Sequence, residues 1–542
     1  MNVFQAYLLR VLVFESQIVI GFENLKAGKS GVIPALCRNC QSQNADFRSL
    51  LYIPCVARGE VYLLVLTDLP TCPGLFYGSI ARDGILSRMR IPGGIFNVQQ
   101  CRAIANLIDK YSTGWVQITN RANLQIRDLN SAISPEVWHD LQELGLASRR
   151  VEIDPIRNIM ASPTAGIDRA QLLDTRPLVK AWDNHLQTHP ELSELSPKFS
   201  VGFDGGESVS IRAIRNDILL AAAGKSEDSE IVFRLYLNGD TRIIIKQSQC
   251  ISVLAALASL YLEYTKNQPR IEGKKPRLRH LLADWGVESY LKRVEQNVPF
   301  SLQRSSITSS EKPIAHYQHL GIHPQQQSGF SYVGIAQPLG RLKSQQLRDL
   351  ANLAQNFGRG TLRLTPWQNL LISDIPNHRL EELQKLIARL GLHSSATNLD
   401  SCLVACAGSS GCASAMTDTQ SHALAMVRDL AQKLQIDRPV NIHFSGCEKS
   451  CAQHDPIDIT LVGIQIEKGD ETIAGYDIYG GKTDSPFGRQ IFQGLSVSQI
   501  SSSIAQMLRI YQRFRSPDES FGEFIDRCAI DQLQHWFKIE SG

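Results

Sequence analysis

Two stretches of the chain repeat apolar residues at spacings of three and four, which is the period of a helix with one buried face. They run from Gln99 to Tyr111 and from Gln345 to Phe357, and the spacing predicts an amphipathic helix over each. A short β-prone run follows each helix after a glycine, from Gly114 to Ile118 and from Gly360 to Leu364. The pattern therefore predicts the same strand–helix–strand unit twice in one chain.

The two units also match residue by residue at a constant offset. Pro92–Gln100 aligns with Pro338–Gln346, and Ile118–Ile126 aligns with Leu364–Ile372 without a gap. A period of about 250 residues is far longer than that of a solenoid, whose repeats span about 20 to 50 residues. It indicates two homologous halves packed around a pseudo-two-fold axis. We expect one deep cleft between them, lined by equivalent elements from both halves.

The repeat and the segments between its copies divide the chain. We predict an N-terminal extension over 1–70, repeated units over 71–150 and 313–395, and larger α/β domains over 151–300 and 396–540. A polar, Ser-rich stretch from Ser301 to Pro313 is typical of a linker. The extension holds the isolated pair Cys37 and Cys40. With no second pair nearby, an appended segment is favoured over a metal or redox site.

Composition narrows the class of protein. The 542 residues are 43% hydrophobic and 20% charged, so the chain can bury a large core. A net charge of +3, with no Lys/Arg stripe interleaved with aromatic residues, argues against a nucleic-acid-binding protein. No apolar run reaches the roughly 20 residues of a membrane-spanning helix. Met1–Phe22 lacks the features of a secretory signal, so we expect a cytoplasmic protein that does not bind membranes.

Four of the twelve cysteines form two spaced pairs, a C-x5-C at Cys406 and Cys412 and a C-x3-C at Cys447 and Cys451. Soft thiolates grouped in this way favour a [4Fe–4S] cluster, because each of its four irons takes one thiolate. Neighbouring glycines let the backbone pass close to a bulky inorganic core; they are Gly408, Gly411 and Gly446. The alternatives are a zinc site, for which C-x2-C pairs are usual, and buried inert thiols.

Cationic side chains beside glycine or proline turns are frequent in the first half. Guanidinium groups bind carboxylates with two parallel hydrogen bonds, so a fixed array of them suits a polyanionic ligand; a solvated surface is the alternative for each. The candidates are Arg82, Arg88, Arg90, Arg121, Arg127, Arg157 and Lys198. Arg121 aligns with Trp367 of the second unit, so only one half presents a cation at that position.

Motifs for nucleotide binding are absent. No G-x-G-x-x-G follows a strand, and no P-loop lysine motif occurs. If the reaction needs electrons, a separate donor must bring them, either a ferredoxin or an NAD(P)H-linked reductase. His316, His443 and His454 are candidate ligands of a mononuclear iron, with a structural role as the alternative for each.

From about Thr71 to about Ile530, the duplication, the cysteine spacing and the basic residues together resemble the siroheme-dependent sulfite and nitrite reductase superfamily. The resemblance implies a mixed α/β (α+β) fold, with two ferredoxin-like half-domains and two larger α/β domains for the cluster and a tetrapyrrole. It also implies that the four spaced cysteines hold the [4Fe–4S] cluster. Cys451 would in addition bridge to the iron of siroheme where siroheme is present.

The same resemblance assigns anion-binding residues. Arg121, Arg157 and Lys198 match the basic side chains of the superfamily's catalytic site. The reductases that bind sulfite usually carry a second basic residue two positions after that lysine, where Ser200 stands in this chain. The change weakens the case for sulfite, a dianion, and leaves nitrite open.

Within the superfamily, the local sequence is most similar to the precorrin-3B synthases of aerobic cobalamin biosynthesis. The similar segments are Thr71–Phe76, Asp83–Gly94, Thr119–Arg127, Ala405–Ala415 and His443–Ala452. This similarity implies an O2-dependent hydroxylation and lactone formation on the tetrapyrrole precorrin-3A, with a mononuclear non-haem iron that activates O2. The residues expected to pair with the substrate's carboxylates are Arg82, Arg88, Arg121 and Arg157.

Two other functions remain open from the sequence. The first is a siroheme nitrite or sulfite reductase that takes electrons from ferredoxin, since a mildly basic chain can dock an acidic donor. The second is a non-catalytic protein that binds an iron–sulfur cluster or a tetrapyrrole.

Overall fold

The computed structural model describes most of the chain. The residues described are 7–14, 17–24, 50–57, 60–67, 73–76, 78–131, 133–271, 273–305, 317–482 and 486–538. Cys37, Cys40, His316 and most of the predicted linker lie outside them. Within the extension, two antiparallel hairpins are present: β1 (Tyr7–Phe14) with β2 (Gln17–Asn24), and β3 (Leu50–Ala57) with β4 (Glu60–Thr67).

The first repeated unit consists of short strands around one amphipathic helix. Its elements are β5 (Ser79–Ala81), β6 (Gly84–Met89), β7 (Ile95–Asn97), α1 (Val98–Tyr111), β8 (Trp115–Ile118), β9 (Leu124–Leu129) and α2 (Pro135–Glu143). A capping box begins α1: the Asn97 side chain accepts the Gln100 amide at 2.9 Å, and the Gln100 side chain accepts the Asn97 amide at 2.8 Å. The predicted helix is confirmed to within one residue.

The first large domain is a six-stranded mixed sheet in the order β10-β11-β12-β13-β14-β15, with four helices. Its elements are β10 (Ile159–Ala161), α3 (Arg176–Thr188), β11 (Val201–Asp204), β12 (Ile218–Lys225), β13 (Ile231–Tyr236), β14 (Asp240–Lys246), α4 (Cys250–Asn267), α5 (Leu278–Trp285), α6 (Val287–Gln296) and β15 (Gln303–Arg304). Strands β10, β11 and β12 are parallel, so loops at their carboxyl ends meet at one edge.

The second repeated unit has the same order of elements as the first. These are β16 (Gly321–Pro324), β17 (Phe330–Ile335), β18 (Arg341–Lys343), α7 (Ser344–Phe357), β19 (Thr361–Leu364), β20 (Leu370–Pro376) and α8 (Leu380–Arg389). Helix α7 confirms the second periodicity prediction.

The second large domain is a five-stranded sheet in the order β21-β22-β23-β24-β25, and its first three strands are also parallel. Its elements are β21 (Leu403–Ala405), the single turn α9 (Gly408–Gly411), α10 (Thr419–Lys433), β22 (Ile442–Ser445), β23 (Ile459–Lys468), β24 (Glu471–Gly480), β25 (Arg489–Ser496), α11 (Val497–Phe514), α12 (Phe521–Arg527) and α13 (Ile530–Phe537).

The two repeated units exchange a strand across a pseudo-two-fold axis. Strand β7 pairs with β19 of the second unit, and its counterpart β18 pairs with β8 of the first. Side-chain contacts between α1 and α7 repeat the exchange: Arg102 donates to Asn352 at 2.9 Å, and the equivalent Arg348 donates to Asn106 at 2.8 Å. One apolar core therefore runs through both units, whereas each large domain has its own.

This architecture confirms the predicted fold class: a mixed α+β protein built from duplicated half-domains and two larger α/β domains. None of the helices within the described ranges has both the length and the apolar character needed to cross a bilayer.

Candidate cluster and tetrapyrrole site

The four spaced cysteines lie in two loops at the carboxyl ends of neighbouring strands. Cys406 follows β21 and Cys447 follows β22, and the Cys406 amide donates to the Phe444 carbonyl at 3.1 Å. Because these strands are parallel neighbours, their loops emerge side by side. The local topology thus brings together residues that are distant in the sequence.

The four thiols are close to one another and form no disulfide. The pKa of the Cys451 thiol is raised, first by burial and then by the charges of the Cys447, Cys406 and Cys412 thiols, whereas the charge of Lys198 lowers it. Thiols that influence one another in this way can together surround one polynuclear cluster, to which each supplies one ligand. The arrangement fits a [4Fe–4S] cluster, and it places Lys198 beside it.

A site for one metal ion does not fit. Within the described ranges, no three His, Cys, Asp or Glu side chains converge closely enough to hold a single ion, as a zinc site requires. By the same observation, the described residues supply no set of ligands for the expected mononuclear iron. His443 is fully buried, and burial lowers its pKa to about 3, which is the behaviour of a neutral core histidine.

Glycine at position 446 lets the second cysteine loop pass close to the first. A Cβ at Gly446 would lie 2.6 Å from the Ala415 Cβ and 3.4 Å from the Cys406 Sγ. The Gly446 amide also donates to the Cys406 Sγ at 3.2 Å. The predicted role of this glycine, a close approach of backbone to the thiol site, agrees with these distances.

Gly446→Ala is therefore expected to displace the loop that carries Cys447 and Cys451, because the backbone and Cβ of Ala415 cannot rotate away. Overpacking of this kind costs about 1–3 kcal/mol of folding free energy. We expect lower iron content and a lower melting temperature. Gly239→Ala is the control, since a Cβ at Gly239 meets nothing within 4 Å. Equal iron content in both variants would contradict the role given to Gly446.

A cavity lies between the two halves beside the Cys451 loop. Equivalent turns of the repeat line it, with Arg121 from the first and Trp367 from the second, and His454 and Lys482 also contribute. Trp367 stacks on His319 with ring centroids 4.5 Å apart. The cleft thus combines an aromatic surface with cationic groups, a combination suited to a flat polyanionic macrocycle.

The same two turns hold the loop that follows the cluster cysteines. Asn120 Nδ2 donates to the Cys451 carbonyl at 3.3 Å, and Gln368 Nε2 donates to the Ala452 carbonyl at 3.3 Å. Each turn contains one non-glycine residue at positive φ, Ala122 at 51° and Gln368 at 62°, a strained conformation that tertiary contacts must maintain. Both halves therefore support one site, as the duplication predicts.

Arg121 and Lys198, two of the predicted anion-binding residues, converge near this loop. The charges of Arg121 and Lys198 both help to lower the pKa of His454, although burial of that ring is the larger cause. His454 lines the cavity with Arg121. The structure therefore places two cations at the junction of the cavity and the Cys451 loop.

Arg157 lies deeper and already has an acidic partner. Its Nε and Nη2 donate to the two carboxylate oxygens of Asp183 at 2.7 and 2.9 Å. Its Nη1 is buried and has no hydrogen-bond partner among the residues that the structure describes. A buried unpaired guanidinium nitrogen is costly to leave unsatisfied, so this atom fits an anionic oxygen of a ligand.

Arg82 and Arg88 do not line the cavity. Arg82 is exposed and donates to the Ser409 carbonyl on the first cysteine loop at 3.1 Å. Arg88 is half-buried and donates to Gln125 at 3.4 Å. The structure therefore does not bring these two arginines together with Arg121 as the expected ring of carboxylate ligands.

The long-range contacts of three residues important to the site were not predicted from the sequence. Arg127 was only one of several cations, yet it donates to Asp83 at 2.6 and 2.8 Å and to the Gly411 carbonyl at 2.7 Å. Arg215 and Asp455 form an ion pair at 2.5 Å between opposite walls of the cavity. The importance of these residues follows from their contacts with residues that are distant in the sequence, and the spacing of residues along the chain does not show such contacts.

Ser200 turns into the fold. Its amide and hydroxyl both donate to Asp217 Oδ2, at 3.0 and 3.2 Å, and its side chain is buried. The position at which the resemblance led us to examine a second cation therefore contributes no positive charge here.

The fold and the site define an internally duplicated iron–sulfur oxidoreductase with a cleft for an anionic macrocycle. A family profile described as the nitrite and sulphite reductase 4Fe-4S domain matches residues 152–302 and 401–542. A second profile, the nitrite/sulfite reductase ferredoxin-like half domain, matches 80–144 and 323–390. The chain belongs to the nitrite and sulfite reductase family.

Individual relatives agree with this membership. The chain is 32% identical to a ferredoxin–nitrite reductase of Synechococcus elongatus over 80% of its own length and 88% of the relative. It is 28% identical to an assimilatory ferredoxin-dependent nitrite reductase of Haloferax mediterranei, over 83% of each chain. The solved structure of NirA from Mycobacterium tuberculosis shares the fold, with a TM-score of 0.71 at 24% identity over 83% of this chain and 84% of NirA.

The expected precorrin-3B synthase function is wrong. The relatives that match most of the chain are named nitrite reductases, so neither an O2-dependent reaction nor cobalamin biosynthesis is supported. The physical reason lies in the segments that suggested it. Thr119–Arg127 forms a turn that holds the cluster loop, and His443–Ala452 forms that loop itself. Such segments indicate the fold that related proteins share, and they do not indicate which substrate binds.

Proposed function

We propose that this chain is a siroheme-containing nitrite reductase that takes its electrons from ferredoxin. The observation that carries the proposal is the distribution of charge beside Cys451. Arg121 and Lys198 converge there, whereas Ser200 donates to Asp217 inside the fold. Because Ser200 adds no further positive charge at this position, the site suits a small monoanion such as nitrite better than the sulfite dianion.

Residues of this chain fit both prosthetic groups. Cys406, Cys412, Cys447 and Cys451 would hold the [4Fe–4S] cluster. The adjoining cavity, with Arg121 and the stacked Trp367, would hold siroheme beside the Cys451 loop. When bound, the two groups supply electrons to the substrate anion. The buried Arg157 Nη1 is available to a carboxylate of the macrocycle or to the substrate.

The protein's own contribution is to bind and orient the anion and to supply protons. Arg121 presents planar donors suited to the two oxygens of nitrite. Lys198 forms no ion pair within the described ranges, and its side chain is exposed. Its ammonium can therefore donate a proton to a nitrite oxygen and be reprotonated from solvent.

A ferredoxin would dock where the cluster loops reach the surface. Arg82 contacts the loop after Cys406, and Lys449 lies between Cys447 and Cys451, where it donates to Ser414 at 2.9 Å. Cations on this face complement an acidic carrier. Named relatives that use ferredoxin support the same donor.

A visible spectrum of protein purified without oxygen, followed by acid–acetone extraction, tests the proposal. We expect extractable siroheme together with cluster absorbance, and turnover of nitrite with reduced ferredoxin that exceeds turnover of sulfite at equal concentration. Brown protein without an extractable tetrapyrrole would contradict the siroheme assignment. Faster turnover of sulfite would overturn the choice of nitrite.

A further inference from the structure

The first large domain contains a counterpart of the cluster site. Strand registers show the equivalence: Ala161 of β10 faces Phe203 of β11, as Ala405 of β21 faces Phe444 of β22. The next strand repeats the relation, because Val201 faces Ile218 as Ile442 faces Ile459. The sixteen residues 203–218 therefore overlay 444–459 without a gap.

The four positions equivalent to the cluster cysteines carry no thiol. Counting from the superposed strand ends, they are Ser162, Asp168, Gly206 and Ser210. The first half thus has the equivalent loops without the thiol ligands of the cluster. The loop over 205–215 forms one wall of the cavity, through Val209, Ser210 and Arg215 among others, so something else must fix it.

Asp168 fixes the start of this loop. Its Oδ2 accepts the Ser208 amide at 3.0 Å and the Thr164 hydroxyl at 2.9 Å, and its Oδ1 accepts the Ser208 hydroxyl at 3.1 Å. Ser162, in the place of Cys406, donates to the Val209 carbonyl at 2.8 Å. Both side chains are buried.

Asp204 fixes the middle of the loop from the end of β11. Its Oδ2 accepts the Ser210 hydroxyl at 2.7 Å and the Ile211 amide at 2.9 Å, and its Oδ1 accepts the Gly206 amide at 3.0 Å. Arg212 Nε lies 3.3 Å from Oδ1. Ser210 occupies the position equivalent to that of Cys451. The Asp204 carboxylate binds the Ser210 side chain there, whereas an iron atom would bind the Cys451 thiolate in the second half.

Glu207 completes the group. Its Oε2 accepts the Gly205 amide at 2.6 Å, whereas its Oε1 is buried and accepts no hydrogen bond from the described part of the chain. Burial and then the charges of Asp204 and Asp168 raise its pKa well above its ordinary value of 4.5. The carboxyl is therefore kept protonated to a higher pH than that of an exposed glutamate.

We propose that Asp168, Asp204 and Glu207, here called the carboxylate triad, do in the first half what the iron–sulfur cluster does in the second: they are positioning residues that fix one wall of the tetrapyrrole cavity. The tetrapyrrole part of this inference rests on the proposed function. The ordering of the 205–215 loop does not depend on it.

The triad is not a cation site. The oxygens of Asp168 and Asp204 already accept N–H and O–H donors, and no three acidic side chains within the described ranges are spaced for one ion. The negative charges of Asp168 and Asp204 therefore stabilise the hydrogen bonds that backbone amides donate to them. Hydrogen bonds to a charged acceptor are stronger than those to a neutral one.

The triad also orients a contact across the cavity. Asp204 holds Ile211 and Arg212, and four residues beyond Ile211 the same loop presents Arg215, which pairs with Asp455 on the Cys451 loop. Displacing the loop would move Arg215 away from its partner. The wall of the first half and the cluster loop of the second are thus joined through residues that the triad positions.

Asp204→Asn and Asp168→Asn in the full chain, anaerobically purified, test the inference. Asp228→Asn is the control, because Asp228 lies in the same domain and its exposed side chain contacts Lys246 and Ser226, away from the 205–215 loop. Three quantities are measured: hydrogen exchange of peptides within 205–215 and 446–456, siroheme retained per chain on dialysis, and the cluster's absorbance.

We expect about tenfold or greater acceleration of exchange in 205–215 for both triad variants, since loss of one charge-assisted hydrogen bond changes such an equilibrium by about that factor. Cluster absorbance stays as in the control, exchange in 446–456 accelerates less than exchange in 205–215 because only the Arg215–Asp455 contact is affected there, and siroheme is lost about tenfold faster. Unchanged exchange in 205–215 overturns the positioning role. Faster exchange in 205–215 with an unchanged rate of siroheme loss would show that the triad orders the loop only. That result would overturn the proposed effect of the triad on tetrapyrrole binding.

Failure of the proposed function gives a different result. In that case wild-type protein contains no siroheme, while the exchange of 205–215 still separates the triad variants from the control. If Asp204→Asn does not fold, Glu207→Gln supplies the second test, because glutamine resembles the protonated carboxyl. We expect its exchange in 205–215 to equal that of wild type at mildly acidic pH.

The pH dependence has a defined sign. A raised folded pKa means that the stabilisation from Glu207 is complete below its ordinary pKa and is lost as the pH rises through the folded value. Asp168, Asp204 and Arg212 are the charged groups around it. We expect wild type to lose protection of 205–215 as pH rises, and Glu207→Gln to lose less. Identical profiles would overturn the assignment of Glu207 to the triad.

Discussion

Cys451→Ser is expected to lose the [4Fe–4S] cluster and to destabilise the second large domain. A serine hydroxyl is a poor ligand for iron, and removal of one of four thiolates weakens cluster retention by at least about 100-fold. Cluster binding and folding are coupled, because the cluster would be held by cysteines of both loops. The Cys406 Sγ also accepts the Gly446 amide of the other loop, so loss of the cluster disturbs this contact as well.

Iron and sulfide content, the visible spectrum and thermal unfolding measure this effect. Cys528→Ser is the control: Cys528 is buried in the same domain but lies outside the cysteine loops. We expect the control to keep its full iron content. A complete cubane spectrum in Cys451→Ser would show that another residue is the fourth ligand.

Local patterns predicted the helices of the repeat and the four cysteines of the site. Helix α1 begins one residue before the predicted Gln99 and ends at Tyr111 as expected, because periodic apolar spacing and the Asn97 cap both act over a few residues. The cysteine pairs are recognisable for a similar reason: ligands on a tight loop must follow each other at short spacing.

Contacts between distant segments were not predictable from one sequence. The exchange of β7 and β18 between the units depends on pairing across more than 200 residues. Arg157 was a candidate anion-binding residue, but its pairing with Asp183 was not predicted, because Asp183 lies on a helix whose pattern shows only an amphipathic face. The same limit applies to Arg215 and Asp455, which meet only across the cavity.

The substrate was misassigned because the residues that build the fold are not the residues that determine which substrate binds. The segments that resembled precorrin-3B synthases build the cluster loops and the turns that support them. The proposed preference for nitrite rests instead on one uncharged residue, Ser200, whose hydroxyl donates to Asp217. The carboxylate triad was likewise hidden, since Asp168 and Asp204 acquire a role only after the strand registers of the two halves are superposed.

Arg121→Ala is expected to weaken anion binding in the cavity while the cluster remains intact. Arg121 lies at the turn of the first unit and lines the cleft opposite Trp367, and its charge acts on His454. Hydrogen bonds to charged groups contribute about 1.5–3 kcal/mol, so we expect about a 10- to 100-fold rise in KM for nitrite. Retention of siroheme should fall in the same direction.

Arg149→Ala is the matched control for this experiment, because the Arg149 side chain is 80% exposed and belongs to the same half of the molecule. The neighbouring Asn120 still donates to the Cys451 carbonyl, so cluster absorbance should be equal in both variants. A lower kcat at unchanged KM would instead assign Arg121 to the transition state, since uniform binding affects KM alone. Unchanged kinetics together with unchanged siroheme retention would return Arg121 to a solvated surface role.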